Sequence, residues 1–225
     1  MDSKNSKIFK KIQKIMFNQL TNNASESPAF SFTERSRSGA WGAWIILVGF
    51  GLLGFILKKN ITMIFDTYIV ENKEAFLSKV QQIASNLGIK PDWLMAVMAF
   101  ESGIDSKKVN SESGATGLIQ FMPSTATGMG TSTAALKAMT NVQQLDFVYK
   151  YLAPYKAKMK TYTDVYMTVF YPAAIGKADT YVIGAAGSKI AQQNPSLRDS
   201  TGTVTVQSVK ANFSNWIKKK GFTII

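Results

Sequence analysis

Residues 91–103 read Pro-Asp-Trp-Leu-Met-Ala-Val-Met-Ala-Phe-Glu-Ser-Gly, and this stretch decides the fold. Proline in the first turn is a helix start signal, so the stretch predicts a helix from Pro91 to Glu101. Residues 93–100 are apolar without interruption, which leaves the helix no polar face. We therefore expect a mostly α fold in which this helix is surrounded by other elements.

Further helical signals lie on both sides of this segment. Apolar residues at helical spacing predict a helix over residues 74–87, and we expect others at about residues 116–128, 141–153, 162–175 and 205–219. Strand signals are few and fall at residues 181–183 and 203–205. These features predict one domain over residues 60–225, preceded by segments of a different character.

The composition excludes several classes of enzyme. The chain has 225 residues, 46% of them hydrophobic, and it contains neither cysteine nor histidine. Disulfide frameworks, zinc fingers and sites that need a Cys or His side chain are therefore excluded. Acid–base chemistry has to come from carboxylates, lysine or tyrosine.

The net charge predicts a polyanionic partner. The formal charge is +12, and residues 1–59 and 60–225 contribute +6 each. Nucleic acid, anionic lipid and an anionic cell wall would each suit a basic surface, and charge alone does not choose among them.

Residues 39–57 carry no charge and include an apolar run from Trp44 to Leu57. About 20 apolar residues at about 1.5 Å each cross a hydrocarbon core of about 30 Å. Trp41 and Trp44 at one end, and Lys58 and Lys59 at the other, are typical interfacial residues. We predict an uncleaved transmembrane anchor over residues 39–59; a buried core helix is the alternative.

Residues 1–38 form the segment before this anchor. Residues 4–20 alternate apolar and lysine side chains at helical spacing, which predicts a basic amphipathic helix on anionic lipid, with a solvated tail as an equal alternative. Residues 22–38, rich in Ser, Asn and Thr, resemble a linker. The positive-inside rule then predicts a cytoplasmic or interior N-terminus and a domain on the periplasmic or outer side.

Glu101 follows directly on the apolar helix. Burial there would favour the neutral acid and can raise the pKa of a glutamate from about 4.3 to about 6 or above, as a general acid near neutral pH requires. From this segment alone, a structural or solvent-facing glutamate is the more ordinary interpretation.

The next residues change this balance. Glu101-Ser102 is followed by Gly-Ala-Thr-Gly-Leu-Ile-Gln-Phe-Met-Pro-Ser-Thr-Ala at residues 114–126, and then by Asn141, Tyr151-Leu152 and Phe-Tyr-Pro-Ala-Ala at residues 170–174. Over about residues 75–176 the chain resembles the SLT-type lytic transglycosylases, relatives of goose-type lysozyme. Pro172 and Ala174 depart from the Asn and Gly of the family's last motif.

The resemblance implies a lysozyme-like domain that cleaves peptidoglycan with one glutamate. In this family, that residue protonates the β-1,4 glycosidic oxygen between N-acetylmuramic acid (MurNAc) and N-acetylglucosamine (GlcNAc). It then takes the proton of the C6 hydroxyl, which closes a 1,6-anhydro ring without water. Hydrolysing glycosidases need two carboxylates. The nearby Asp105 and Glu112 lie in a polar loop, where a solvated role is expected.

The resemblance also assigns substrate contacts. Ser111 and Gln120 would hydrogen-bond the sugar, Met122 would line the cleft, and Tyr171 would place its hydroxyl near Glu101. Without the resemblance, Ser111 would more simply be a cap and Gln120 a solvent-facing side chain. Met122 and Tyr171 would more simply be core residues. No metal and no cofactor is implied. Asp199 begins a turn that weakly resembles a calcium loop, but one carboxylate is too few for calcium, so we expect a plain turn.

The sequence thus predicts a membrane-anchored enzyme whose partners are glycan strands of peptidoglycan and, through residues 39–59, a lipid membrane. A host enzyme of the wall and a virion-associated phage enzyme that opens the wall during infection both fit, including a phage whose particle contains lipid. A hydrolysing muramidase is one alternative. A non-catalytic protein that binds glycan or penetrates membranes is another.

Overall fold

In the computed structural model, the described residues are 62–224. Within this range the chain forms eight α-helices: Lys73–Leu87 (α1), Pro91–Ser102 (α2), Pro123–Gly128 (α3), Thr133–Ala138 (α4), Asn141–Leu152 (α5), Tyr162–Phe170 (α6), Lys189–Gln193 (α7) and Val206–Lys219 (α8). Short 3-10 helices cover Asp66–Tyr68, Ala153–Lys158, Pro172–Ala174 and Pro195–Leu197. Strands Val182–Gly184 (β1) and Val204–Thr205 (β2) pair antiparallel, with Val182 opposite Thr205.

This mostly helical chain with one small sheet fits a lysozyme-like domain, as the sequence predicts. The predicted amphipathic segment, linker and membrane anchor, residues 1–59, lie outside the described residues. Between residues 62 and 224, none of the helices has the length and apolar character needed to cross a bilayer.

Helix α2 is the buried centre of the domain, as predicted. Residues 94–99 are all buried, and the helix packs against α1, α6 and α8. Pro91 occupies its first turn, and Gly103, with φ at 72°, ends it in the left-handed conformation. Full burial of each large apolar side chain contributes roughly 1.5–3 kcal/mol, so the position of this helix is fixed by its packing.

The predicted helix over residues 116–128 is wrong in its first half, because α3 begins only at Pro123. Gly117 and Gln120 have φ values of 82° and 51°, and left-handed residues cannot continue a right-handed helix. Thr116 instead pairs with Val109 and Phe121 in isolated bridges. The apolar residues of this segment are therefore buried in a loop.

Helix α6 also ends earlier than predicted, at Phe170 instead of residue 175. The cause is Pro172, because a residue before proline is disfavoured in the helical conformation. Tyr171 accordingly has φ at −153° and ψ at 82°, and a short 3-10 turn follows. The two predicted strands and the helices around residues 74–87, 141–153 and 205–219 agree with the structure to within a few residues.

The first described residues pack against the ends of α2 and α8. The backbone N–H of Ile64 donates to Oδ1 of Asp92 at 3.1 Å. The ring of Phe65, which is 1% exposed, lies 5.3 Å from that of Trp216 and 4.3 Å from that of Phe222, measured between centroids. The chain therefore enters the domain beside the first turn of α2 and the last turn of α8.

Candidate active site

Glu101 lies in the last turn of α2, where its side chain is half-buried. Burial raises the pKa of Glu101 to about 7, although the positive charge of Lys108 opposes the rise. The end of a helix also carries partial negative charge, which further disfavours a carboxylate there. A carboxyl group with this pKa can both donate and accept a proton near neutral pH.

Phe100, the residue before Glu101, is held in an aromatic cluster. Its ring makes edge-to-face contacts with Tyr166, Phe213 and Trp216, with centroids 5.0, 5.2 and 5.0 Å apart. Such contacts contribute about 0.5–1.5 kcal/mol each beyond the burial of their area. The backbone that carries the carboxyl group is therefore held by α6 and α8.

Ser102, the residue after Glu101, connects α2 to the segment that follows. Its buried Oγ lies 3.0 Å from the carbonyl oxygens of both Met98 and Leu118, the two acceptors of its hydroxyl. The first bond is within α2, and the second reaches residues 108–121, which we call the glycine loop. The Glu-Ser pair thus places an acid and the anchor of a loop next to each other.

Gln144 of α5 holds the glycine loop from the other side. Its fully buried carboxamide accepts from the N–H of Leu118 at 2.9 Å and donates to the carbonyl oxygens of Ser106 at 2.6 Å and Leu136 at 2.7 Å. A Cβ atom on Gly117 would overlap this carboxamide, so glycine is needed there for space as well as for its positive φ.

Two tyrosines lie within the electrostatic reach of Glu101. Burial raises the pKa of Tyr151 to about 12, with further contributions from Tyr155 and Glu101. Burial also raises the pKa of Tyr166, and the Glu101 charge adds to it. The hydroxyl of Tyr151 donates to the carbonyl oxygen of Thr168 at 3.1 Å. The site thus combines side chains from α2, α5 and α6.

The predicted substrate-binding residues have different environments. Gln120 is half-buried, and its amide donates to the carbonyl oxygens of Gly117 at 3.1 Å and Lys108 at 3.4 Å. Ser111 is exposed in the glycine loop, and Met122 is 46% exposed before α3. Tyr171 is half-buried after α6 and packs against the core. Their contacts with substrate stay predictions.

The two carboxylates that follow Glu101 in sequence, Asp105 and Glu112, are exposed. Asp105 accepts a hydrogen bond from the N–H of Lys107 at 2.7 Å and so closes a turn. Glu112 begins the tip of the glycine loop, where its N–H donates to the Asn110 side chain at 3.0 Å. Neither has the half-buried surroundings of Glu101.

Asp199 closes its own turn, as the plain-turn prediction requires. Its Oδ1 accepts from the hydroxyl of Thr201 at 2.6 Å and from the N–H groups of Thr201 and Thr203 at 2.8 and 3.0 Å. The Thr201 hydroxyl is the main reason that the pKa of Asp199 lies below its usual value.

Sequence reasoning missed several residues of this site. Lys108 and Tyr166 belong to none of the quoted motifs, and Tyr151 enters only as part of one. The signal for Tyr166 was its position on the buried face of α6, because a buried hydroxyl group needs a polar partner. Gln144 gave a similar signal, a carboxamide at a buried position of α5.

Comparison with known protein families identifies this region. Residues 78–173 match the family model described as the transglycosylase SLT domain. The match includes Glu101, the glycine loop and the three tyrosines at 151, 166 and 171. Members of this domain family are lytic transglycosylases that act on peptidoglycan, which confirms the predicted enzyme class and substrate. None of the curated proteins compared with the chain matches it. The relationship to goose-type lysozyme stays a prediction.

Proposed function

We propose that the chain cleaves the β-1,4 bond between MurNAc and GlcNAc in peptidoglycan, with Glu101 as its single acid–base group. The observation that carries the proposal is a half-buried carboxyl group with a pKa of about 7, at the Glu-Ser pair of an SLT domain. An ordinary exposed glutamate is almost fully ionised at neutral pH and has no proton to give.

The proposed reaction needs only one acid–base group, because the Glu101 carboxyl group first donates a proton and then takes one up. Glu101 in its acid form protonates the glycosidic oxygen, and the bond from that oxygen to C1 of MurNAc breaks. The C6 hydroxyl oxygen of the same sugar then bonds to C1, and its proton passes to the Glu101 carboxylate. The products are a GlcNAc with a free hydroxyl and a 1,6-anhydro-MurNAc end, with no water consumed.

The surroundings of Glu101 suit this exchange. Burial favours the acid form before bond cleavage, and the positive charge of Lys108 stabilises the carboxylate formed after it. The two effects keep the pKa near neutral, where donation and return of a proton have similar driving forces. Ser102 and the aromatic contacts of Phe100 hold the backbone on both sides of Glu101 while substrate binds.

The exposed surroundings of the carboxylates near Glu101 in sequence favour ring closure over hydrolysis. An inverting hydrolase needs a second carboxylate about 6.5–9.5 Å from the first to activate water. Asp105 and Glu112 are exposed, and the Asp105 carboxylate closes a local turn, which supports a mechanism without them. A hydrolysing muramidase is the alternative that the test has to separate.

Mass spectrometry of the muropeptides released from purified murein separates the two reactions. Anhydro ends and reducing ends differ by one water, so each product identifies its mechanism. We expect anhydro ends from the wild-type chain and no release by Glu101→Gln, with Asp105→Asn and Glu112→Gln as matched carboxylate controls that keep their activity to within about tenfold. Reducing ends together with an inactive Asp105→Asn or Glu112→Gln would establish hydrolysis. Binding of murein without any release would favour the non-catalytic alternative.

We also propose that residues 39–59 anchor the enzyme in a membrane with the domain on the periplasmic or outer side, in a host cell or in a lipid-containing virion. The support is the uncharged run with its flanking Trp and Lys residues. The full chain should resist carbonate extraction from membranes, and a chain that starts at residue 60 should not. Release of the full chain by carbonate would overturn the anchor and leave the enzymatic proposal intact.

A further inference from the structure

Several exposed lysines lie near the place where the described chain begins. Ile64 is bonded to Asp92 at the start of α2, and Phe65 packs on Trp216 near the end of α8. The start of α2 therefore lies near this place. The exposed lysines near this start are Lys90, which precedes α2, and Lys156, Lys158 and Lys160, which follow α5; we call these four the lysine collar.

Two lysines of the collar line a depression with apolar walls. A cavity of about 500 Å³ is lined by Leu87, Trp93, Met159, Lys156 and Lys160. The ammonium group of Lys90 lies 5.9 Å from the ring centroid of Trp93, a residue that lines the cavity. Lysine beside tryptophan around an apolar depression is the combination that membrane interfaces select.

The charge at the centre of the collar is not neutralised by ion pairs. All four lysines are exposed, and none of Lys156, Lys158 and Lys160 forms an ion pair with another residue between 62 and 224. Among the carboxylates near the collar, Asp164 accepts from the backbone N–H of Lys160 at 3.0 Å, and two others have partners of their own. Asp92 accepts from Ile64, and Asp66 pairs with Lys73 at 3.2 Å.

We propose that the lysine collar binds the phosphate groups of an anionic lipid bilayer and holds the domain against the membrane surface. The proposal rests on the proposed anchor, because the tether is short. From Leu57, the end of the uncharged run, to Thr62 there are five residue steps, which span at most about 18 Å when fully extended. A domain held this closely presents the collar to the lipid headgroups.

This docking would also orient the active site. Glu101 follows Trp93 by eight residues on the same helix, which places it about 12 Å farther from the collar along α2. The collar at one end of α2 would face the lipid, and the acid at the other end would face away from it. The domain would then work on glycan strands that lie above the membrane surface.

The experiment uses the full chain in vesicles and exploits the absence of cysteine from the sequence. Ala157→Cys places one label in the collar, and Ser113→Cys places one in the glycine loop. Each labelled chain is reconstituted into phosphatidylcholine vesicles with or without about 30% phosphatidylglycerol, with a quencher on the lipid headgroups. In the anionic vesicles, we expect quenching at position 157 to exceed quenching at position 113 severalfold. We expect no such difference in vesicles of phosphatidylcholine alone. The difference should also vanish in about 1 M NaCl, where the Debye length is about 3 Å.

A charge-matched pair of triple variants tests the lysines themselves. Lys156→Gln with Lys158→Gln and Lys160→Gln should weaken docking roughly tenfold or more. Lys137→Gln with Lys177→Gln and Lys189→Gln, which changes the net charge equally on other elements, should leave docking unchanged. Both triples should keep the murein turnover of the wild type in detergent, which shows that they fold.

Equal quenching at the two labels, or equal loss in the two triple variants, would overturn the proposal. So would weakened binding of the collar variant to purified murein with unchanged docking on vesicles, because the collar would then bind the wall polymer. The murein assay in detergent needs no lipid, so failure of the collar and failure of the enzymatic proposal give different results.

Discussion

The ammonium group of Lys108 lies 3.4 Å from the carbonyl oxygen of Glu101 and donates a hydrogen bond to it. This contact places a positive charge at the C-terminal end of α2, where cations are stabilising. It also lowers the pKa of the neighbouring carboxyl group, against the larger effect of burial. Lys108 begins the glycine loop, so the position of the loop and the acidity of Glu101 are coupled.

The pH dependence of the reaction should follow from this coupling. The first step of the proposed reaction needs protonated Glu101, so kcat/KM should fall as pH rises above about 7, with the slope of a single ionisation. Lys108→Gln removes a charge that lowers this pKa, and the alkaline limb should move to higher pH. Lys137→Gln, an exposed lysine on α4, is the control. An unshifted limb in Lys108→Gln would show that this lysine does not set the acidity of the site.

Glu101→Gln should cost activity and increase stability at high pH. The amide cannot transfer the proton, and a loss of at least about 100-fold is expected. Because the folded-state pKa of Glu101 is raised from 4.5 to about 7, the folded protein binds the proton more tightly than the unfolded chain does. Wild-type stability therefore falls as pH rises between these values.

The variant lacks this titration, so the difference between the two proteins depends on pH. Denaturant unfolding of residues 60–225 should give a free energy of unfolding about 2 kcal/mol higher for Glu101→Gln at about pH 8, allowing for partial exposure, and nearly equal values at about pH 4. The same difference at both pH values would mean that the charge of Glu101 is not the cause.

Gly117→Ala should damage both stability and turnover. The added methyl group meets the Gln144 carboxamide, and the residue has φ at 82°. We expect a loss of about 3 kcal/mol, from overpacking and from the left-handed backbone together. Gly130→Ala is the matched control, because Gly130 has φ at 75° and no other atom within 4 Å of the place that a Cβ would take. It should lose only about 1 kcal/mol and keep turnover. Similar losses of stability in the two variants would show that the contact with Gln144 is not the cause.

Tyr171→Phe tests the last of the assigned contacts. Tyr171 follows α6, the helix that carries Tyr166, and its N–H donates to the carbonyl oxygen of Met167 at 2.8 Å. Phenylalanine keeps this backbone and the packing of the ring and removes only the hydroxyl. We expect kcat/KM to fall roughly 10- to 100-fold, as for one hydrogen bond to a charged group. Tyr149→Phe on α5 is the control, and equal activity of both variants with the wild type would remove Tyr171 from the site.

The sequence predicts the acid more reliably than its surroundings, for physical reasons. Helix α2 has an unbroken apolar run with proline and glycine at its ends, and these local signals suffice to place Glu101. The segment before α3 carries the same apolar content, but the left-handed residues Gly117 and Gln120 turn it into a loop. A glycine in the sequence indicates that a left-handed conformation is available, whereas nothing in the sequence marks a glutamine that adopts a positive φ.

The contacts that position Glu101 depend on tertiary structure. The partners of Gln144 lie 8, 26 and 38 residues earlier in the chain. The effect of Lys108 on the pKa of Glu101 likewise arises because the glycine loop returns to the end of α2. Periodicity and propensity describe residues a few positions apart, so they cannot foresee either arrangement.

The three hydrogen bonds of Gln144 have a consequence for the order in which the enzyme becomes active during synthesis. A nascent chain that has reached residue 143 already contains Glu101, Lys108 and the whole glycine loop, but it lacks the carboxamide that fixes the loop. Contacts between distant segments form after local ones, so the loop takes its final shape only when α5 has been made and packed. A murein-cleaving enzyme built this way cannot reach its active geometry before Gln144, about half way through residues 60–225, has been made.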